Sequence, residues 1–150
     1  MIFDDRTERN IASLHPRVQE KAREFMQLAI PLMKRYGLDV RIISGLRTFA
    51  EQDALYAQGR TAKGRIVTNA RAGYSNHNFG TAFDVGLFEG KKYLGESPKY
   101  KELGQAGKSL GLVWGGDFKS IKDEPHFEIL TGLTLAEMRK RIADKKDIFA

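Results

Sequence analysis

The chain has no cysteine among its 150 residues. Disulfide staples and thiolate-bound metal are therefore excluded. Histidine is scarce too, with three copies, and tryptophan occurs once. No apolar run approaches the ~18 residues that a membrane-spanning helix needs, so no stable membrane insertion is expected. Residues 1–10 are acidic and polar, without the basic start and apolar core of a secretory signal peptide. Manufacture in the cytoplasm is the expectation. Repeats, low-complexity segments and linkers are also absent, which leaves one domain spanning residues 1–150.

Positive charge is in excess, at a formal +6 and a pI near 9.6. That balance suits anionic wall or membrane polymers as partners, and it equally serves solubility. The cations are scattered. Only Arg139-Lys140-Arg141 and Lys145-Lys146 are dense, and no basic face is interleaved with aromatics. Nucleic acid is not an expected partner.

The apolar spacing predicts mixed helices and short strands. His15-Pro16 opens a helix whose inner face is Val18, Ala22, Phe25, Ala29, Met33 and Tyr36. Pro31 should kink or split it, and Gly37 should end it. Residues 40–44 read as a strand, and Thr48 with Glu51 as the capping box of a second helix ending near Gly59. Residues 60–76 read as loop. Residues 82–88 form a strand, Glu89-Gly90-Lys91 a hairpin turn, and Ser97-Pro98 opens a helix closed by Gly111. Short strands follow at 113–114 and 126–130. Thr134 and Glu137 cap a last helix with Leu135, Met138 and Ile142 facing inward. No βαβ rhythm appears, so the class is α+β.

Two of the three histidines stand beside carboxylates. Asp84 follows His77 by seven residues, and Asp123 precedes His126 by three. Two imidazoles and one carboxylate can hold zinc with a fourth position open to water, and a second carboxylate nearby can serve as general base. Buried, hydrogen-bonded histidines would explain the same residues more simply. Strand alternation sets Ala82 and Asp84 on one face, with Glu128 on the face of His126. Glu124 and Glu128 rival Asp123 as the base, and Glu128 could instead support His126. His15, before a helix-opening proline, reads as structural or surface.

Three segments carry a family resemblance: Ser44-Gly45-Leu46-Arg47-Thr48, residues 75–84, and Asp123-Glu124-Pro125-His126. They resemble the zinc D-alanyl-D-alanine carboxypeptidase/L-alanyl-D-glutamate endopeptidase family, and the likeness extends over roughly residues 10–142. The branch it looks most like is the bacteriophage endolysin type, in a single-domain form with no separate wall-binding module. The resemblance implies a small antiparallel sheet flanked by helices, hedgehog/DD-peptidase-like, with zinc on the sheet face. It implies zinc ligands His77, Asp84 and His126, Asp123 as base, and Arg47 facing the substrate carbonyl. A salt bridge from Arg47 to Glu51 or Asp53 is the competing reading. Ser75, Gln52 and Trp114 are candidate substrate contacts. Ser75 could equally hold its loop, Gln52 lie on a solvated helix face, and Trp114 sit in the core. The implied substrate is peptidoglycan, cut between L-Ala and D-Glu. D-Ala-D-Ala carboxypeptidase activity and a non-catalytic zinc-stabilised wall-binding module are the alternatives. The expected species is a monomer held in the host cytoplasm until a holin-type breach releases it to the wall.

Overall fold

The computed structural model describes residues 2–149. Helices α1 (Asp5–Ser13), α2 (Pro16–Lys34), α3 (Phe49–Ala57), α4 (Tyr100–Ser109) and α5 (Leu135–Ala143) surround five strands. These are β1 (Asp39–Ser44), β2 (Ala82–Glu89), β3 (Lys92–Leu94), β4 (Val113–Trp114) and β5 (His126–Glu128). All pairings are antiparallel, in the order β1-β2-β5-β4. Strand β3 pairs with the far end of β2. The expected α+β class, with an antiparallel sheet flanked by helices, is what the chain adopts.

Side-chain alternation along β2 separates two environments. Phe83, Val85 and Leu87 are fully buried and belong to the main core, with Phe127 of β5 and Trp114 of β4. Helix α2 covers that face with Val18, Ala22, Phe25, Met26, Ala29 and Met33, all without exposed surface. The rings of Phe25, Phe83 and Phe127 touch one another, with centroids 4.7–5.9 Å apart. Ala82 and Asp84 face the other way. In register, Asp84 pairs with His126 and Ala82 with Glu128. Cross-strand neighbours in an antiparallel pair lie close enough to share a site.

Strand β1 is an edge, which would leave a row of unpaired backbone groups. Helix α1 covers it. Thr7 Oγ1 accepts from the Ile42 N–H at 3.0 Å, and Asn10 Nδ2 donates to the Ile42 carbonyl at 2.8 Å. Ser13 Oγ accepts from the Leu46 N–H at 2.9 Å. This helix was not expected: the acidic, polar opening carries few apolar residues, and of the two residues the helix buries, Thr7 meets the strand edge and Ile11 alone reaches the core. Asp4 caps it through the Thr7 N–H. Met1, the first residue of that polar opening, lies outside the described residues.

Several other details differ from expectation. Helix α2 runs through Pro31 to Lys34 unbroken: the ring removes a single N–H donor, and only three helical residues follow it. Gly37 then ends it at φ +72°. Tyr36 and Ile142 are exposed rather than inward, Tyr36 because it follows the helix end and Ile142 because α5 packs through Leu135 and Met138. Strand β5 stops at Glu128, short of residue 130.

Tyr100 ties α4 to the β2–β3 hairpin. Its hydroxyl accepts from the Leu87 N–H at 3.1 Å and donates to the Leu94 carbonyl. Burial pushes the phenol up to about 12, so it stays a donor. Tyr100→Phe should keep the ring packing and strand both backbone groups, at a cost of about 1–3 kcal/mol. At about 2–4 °C per kcal/mol for a chain of this size, the melting temperature should fall by several degrees. An unchanged melting temperature would deny the hydroxyl its structural role.

Candidate metal centre

Asp84, on β2, stands between two imidazoles. His77 Nε2 lies 3.3 Å from Asp84 Oδ2, and His126 Nδ1 lies 3.3 Å from Asp84 Oδ1. One ligand atom from each of the three residues falls within 4.8 Å of the others. His126 is placed by β5 pairing. His77 is placed by a 3-10 turn, Asn76–Phe79, that the sequence did not reveal. Ser75 accepts from the His77 N–H, and the Asn78 side chain returns to the Ser75 N–H. Gly80 closes the turn at φ +71°, where a Cβ would stand 2.8 Å from the His15 nitrogen. His15 itself caps α2 and contacts Asp147 at 2.9 Å, a structural position.

Each imidazole has its outer nitrogen engaged. His77 Nδ1 lies 3.0 Å from the Gly45 carbonyl, which can only accept. His126 Nε2 lies 2.7 Å from Glu128 Oε1. In the neutral forms that bind a metal, the tautomers so set leave His77 Nε2 and His126 Nδ1 as lone pairs aimed at Asp84, the orientation that metal-bound histidines take. Glu128 also accepts from Asn76 Nδ2 at 2.7 Å, which joins β5 to the His77 turn. Asp84 Oδ1 is buried yet makes no hydrogen bond. Two imidazole lone pairs and an orphan carboxylate oxygen facing one point are a donor set for a cation, and zinc fits it.

The charges agree. Burial would raise the Asp84 carboxyl, but His126 and His77 outweigh it and hold the group well below the usual carboxylate range. Burial works against a charged His126, yet Asp84 and Glu128 push its pKa up to about 9. An imidazole between two carboxylates takes a proton when no other cation is there, and a metal would displace that proton.

Asp123 stands at the rim, with Oδ2 4.0 Å from His126 Nδ1. Burial and the Asp84 charge raise its carboxyl, against the pull of His126, His77 and Arg47. Arg47 and Ser75 line the same cleft as the three ligands. Arg47 pairs with neither Glu51 nor Asp53 among the described residues. Its Nη1 donates to Gln52 Oε1 at 3.0 Å. Gln52 has no exposed surface, so it stands behind Arg47 rather than against a ligand. Asn78, which sequence reasoning missed as a site residue, donates to the Arg47 carbonyl at 2.9 Å and to Gln52 Oε1 at 3.3 Å. Trp114 is nearly buried, and its Nε1 donates to the Glu124 carbonyl at 2.7 Å. It edges a neighbouring cleft, not the one holding the ligands.

A profile of the D-alanyl-D-alanine carboxypeptidase family matches residues 68–129, the stretch that holds all three ligands. The peptidoglycan L-alanyl-D-glutamate endopeptidase CwlK of Bacillus subtilis (strain 168) is 41% identical over 131 residues, covering 79% of this chain and 75% of that protein. The chain belongs to the peptidase M15 family. Two solved structures share its fold. The L-Ala D-Glu endopeptidase ChiX of Serratia marcescens superposes with a TM-score of 0.57 at 24% identity, over 87% of this chain and 90% of the other. The zinc-bound D,D-pentapeptidase VanY superposes with a TM-score of 0.52 at 15% identity, over 90% and 81%.

This M15 chain is a zinc-dependent peptidase, and His77, Asp84 and His126 would hold the ion. His77→Ala, Asp84→Ala and His126→Ala should each lower bound zinc from about one per chain towards none. Glu128→Gln should keep the ion but weaken its affinity about 10–100-fold, since it disturbs the support of His126 and of the His77 turn and removes no ligand. Elemental analysis and competition with a chelating dye measure both. Full zinc occupancy in all three alanine variants would place the metal elsewhere.

Proposed function

We propose that this chain is an endopeptidase of peptidoglycan that hydrolyses the bond between L-alanine and D-glutamate of the peptide stem. The observation that carries this reading is the 41% identity to an L-alanyl-D-glutamate endopeptidase, together with the His77–Asp84–His126 centre and its rim. Bound zinc supplies a Lewis acid for the scissile carbonyl and lowers the pKa of water towards roughly 7. Asp123 accepts a proton from the attacking water and returns it to the leaving amine. Its raised pKa suits both halves of that task. Arg47 offers a fixed, always-charged fork of donors to the oxyanion that develops. Gln52 and Asn78 hold that fork in place from behind.

Fragments of purified wall digested by the zinc-loaded protein should carry new N-terminal D-Glu and free C-terminal L-Ala. Asp123→Asn should keep zinc and lose on the order of 10²–10⁴ in turnover. Full turnover in that variant would remove Asp123 from the proton transfer. The second reading, a D-Ala-D-Ala carboxypeptidase, is favoured by the matching family profile. Release of single D-Ala would establish it in place of the first.

For biological role we propose phage-type lysis, in which the protein reaches the wall only after the membrane is breached. No described helix is long and apolar enough to cross a membrane. The net charge of +6 would aid adsorption to anionic wall or membrane polymer. Expression alone should leave host cells intact, and co-expression with a membrane-permeabilising protein should lyse them. Prompt lysis on expression alone would contradict this role.

A further inference from the structure

Two clefts meet at Asp123, and away from the metal ligands and Arg47 their walls differ. The cleft that holds the metal ligands has apolar walls at Val67 and Ile121, and Ile121 is 70% exposed. Its apolar surface continues onto Ile66 and Tyr74. The neighbouring cleft, about 1030 Å³, runs past Asp123 between the start of α4 and the segment before β5. Its walls are charged: Lys101, Lys122, Glu96 and Glu124. Asp117 also lines this cleft and is matched by Lys108 at 2.8 Å, while among the described residues none of the other four takes part in an ion pair. Unpaired charges of both signs in one concave site suit a ligand that carries both.

Cleavage between L-Ala and D-Glu gives this asymmetry a direction, and the cleft assignment rests on that proposed reaction. Asp123 must hand its proton to the leaving amine, so the amine-side fragment lies against Asp123. Glutamate has two carboxyl groups and only one can continue the chain. The amine-side fragment therefore begins with a residue bearing a free carboxylate. The acyl side ends at alanine, which offers only a methyl group. We infer that the charged cleft beyond Asp123 binds the amine-side fragment, with Lys101 and Lys122 receiving its free carboxylate, while the apolar wall at Val67 and Ile121 faces the alanyl side. Lys122 immediately precedes Asp123, so the cation and the proton carrier are placed by one segment. Glu96 and Glu124 make the cleft unsuited to a purely anionic fragment and suited to one with an amino group further along.

Two synthetic stem peptides test this, identical except that the free carboxylate of D-Glu is left as the acid or converted to the primary amide. Both are given to the zinc-loaded full chain, and kcat and KM are read from separated products. The parent protein should favour the acid by about tenfold in kcat/KM, the worth of one hydrogen bond to a charged group, and through KM. In K101A/K122A that preference should fall towards one. In K101R/K122R it should largely return, which a loss of folding would not allow. Zinc content and melting temperature are read alongside, because a structural role would move them. Two results overturn the inference: a preference that survives in K101A/K122A, or equal losses on acid and amide. If the parent protein leaves the L-Ala–D-Glu bond of both peptides intact, the proposed reaction fails, and the cleft assignment fails with it. That failure is recognised in the parent protein before any variant is compared.

Discussion

The structure turns on a buried carboxylate with an unanswered oxygen. Asp84 Oδ1 is shielded from water and makes no hydrogen bond among the described residues; it faces His126 Nδ1, while Oδ2 faces His77 Nε2. An isolated buried anion is costly unless it is paired, hydrogen-bonded or bound to a metal. Asp84 has no freedom to turn away, because β2 pairs with β1 on one side and β5 on the other. The same β5 pairing that restrains it delivers His126 directly opposite. The fold thus creates a demand for a cation and supplies the remaining ligands around it.

Much of the surrounding structure keeps those ligands in orientation. Helix α1 fastens the edge of β1 and the start of the next loop through Thr7, Asn10 and Ser13. The Gly45 carbonyl in that loop sets the tautomer of His77. A Cβ at Gly45 would come within 2.6 Å of the Asn10 carbonyl, so the loop can lie this close to α1 only as glycine. Glu128 and Asn76 do the corresponding work between His126 and the His77 turn. Gln52 and Asn78 serve Arg47, and Arg139 of α5 braces the preceding loop through the Gly73 carbonyl at 2.9 Å. Buried polar groups that are satisfied rigidify a site, and apart from Asp84 Oδ1 these groups find partners, several of them from other elements.

What surrounds the centre differs on its two sides. The chain from Ala54 to Phe83 has no acidic residue, and within it the 66–74 segment contributes exposed apolar groups to one wall. The segment before β5 contributes lysine and carboxylates to the other. A hydrolase that separates a neutral acyl group from a charged amine would be served by that contrast, since charge on the wrong side would be left unpaired.

Sequence alone determined the parts that depend on neighbours along the chain. The capping boxes at Thr48 and Thr134, the end of α2 at Gly37 and the β2–β3 hairpin were legible because their bonds close within a few residues. The three candidate ligands stood out through the family resemblance of the segments that hold them, since the step from His77 to Asp84 alone is a weak signal. Only the tertiary structure decided the rest. It turned Gln52 from a surface helix residue into the buried support of Arg47, and gave Asn78 a place in the same support. It fixed the His77 tautomer through the Gly45 carbonyl, 32 residues away in sequence, whereas Glu128 beside His126 was already a candidate support. Helix α1 stayed hidden because its inner face has a single core residue, Ile11, beside polar groups, and polarity facing a strand edge looks the same in a sequence as polarity facing water. Each of these depends on which backbone group another element leaves unpaired, and that is known only when the chain has folded.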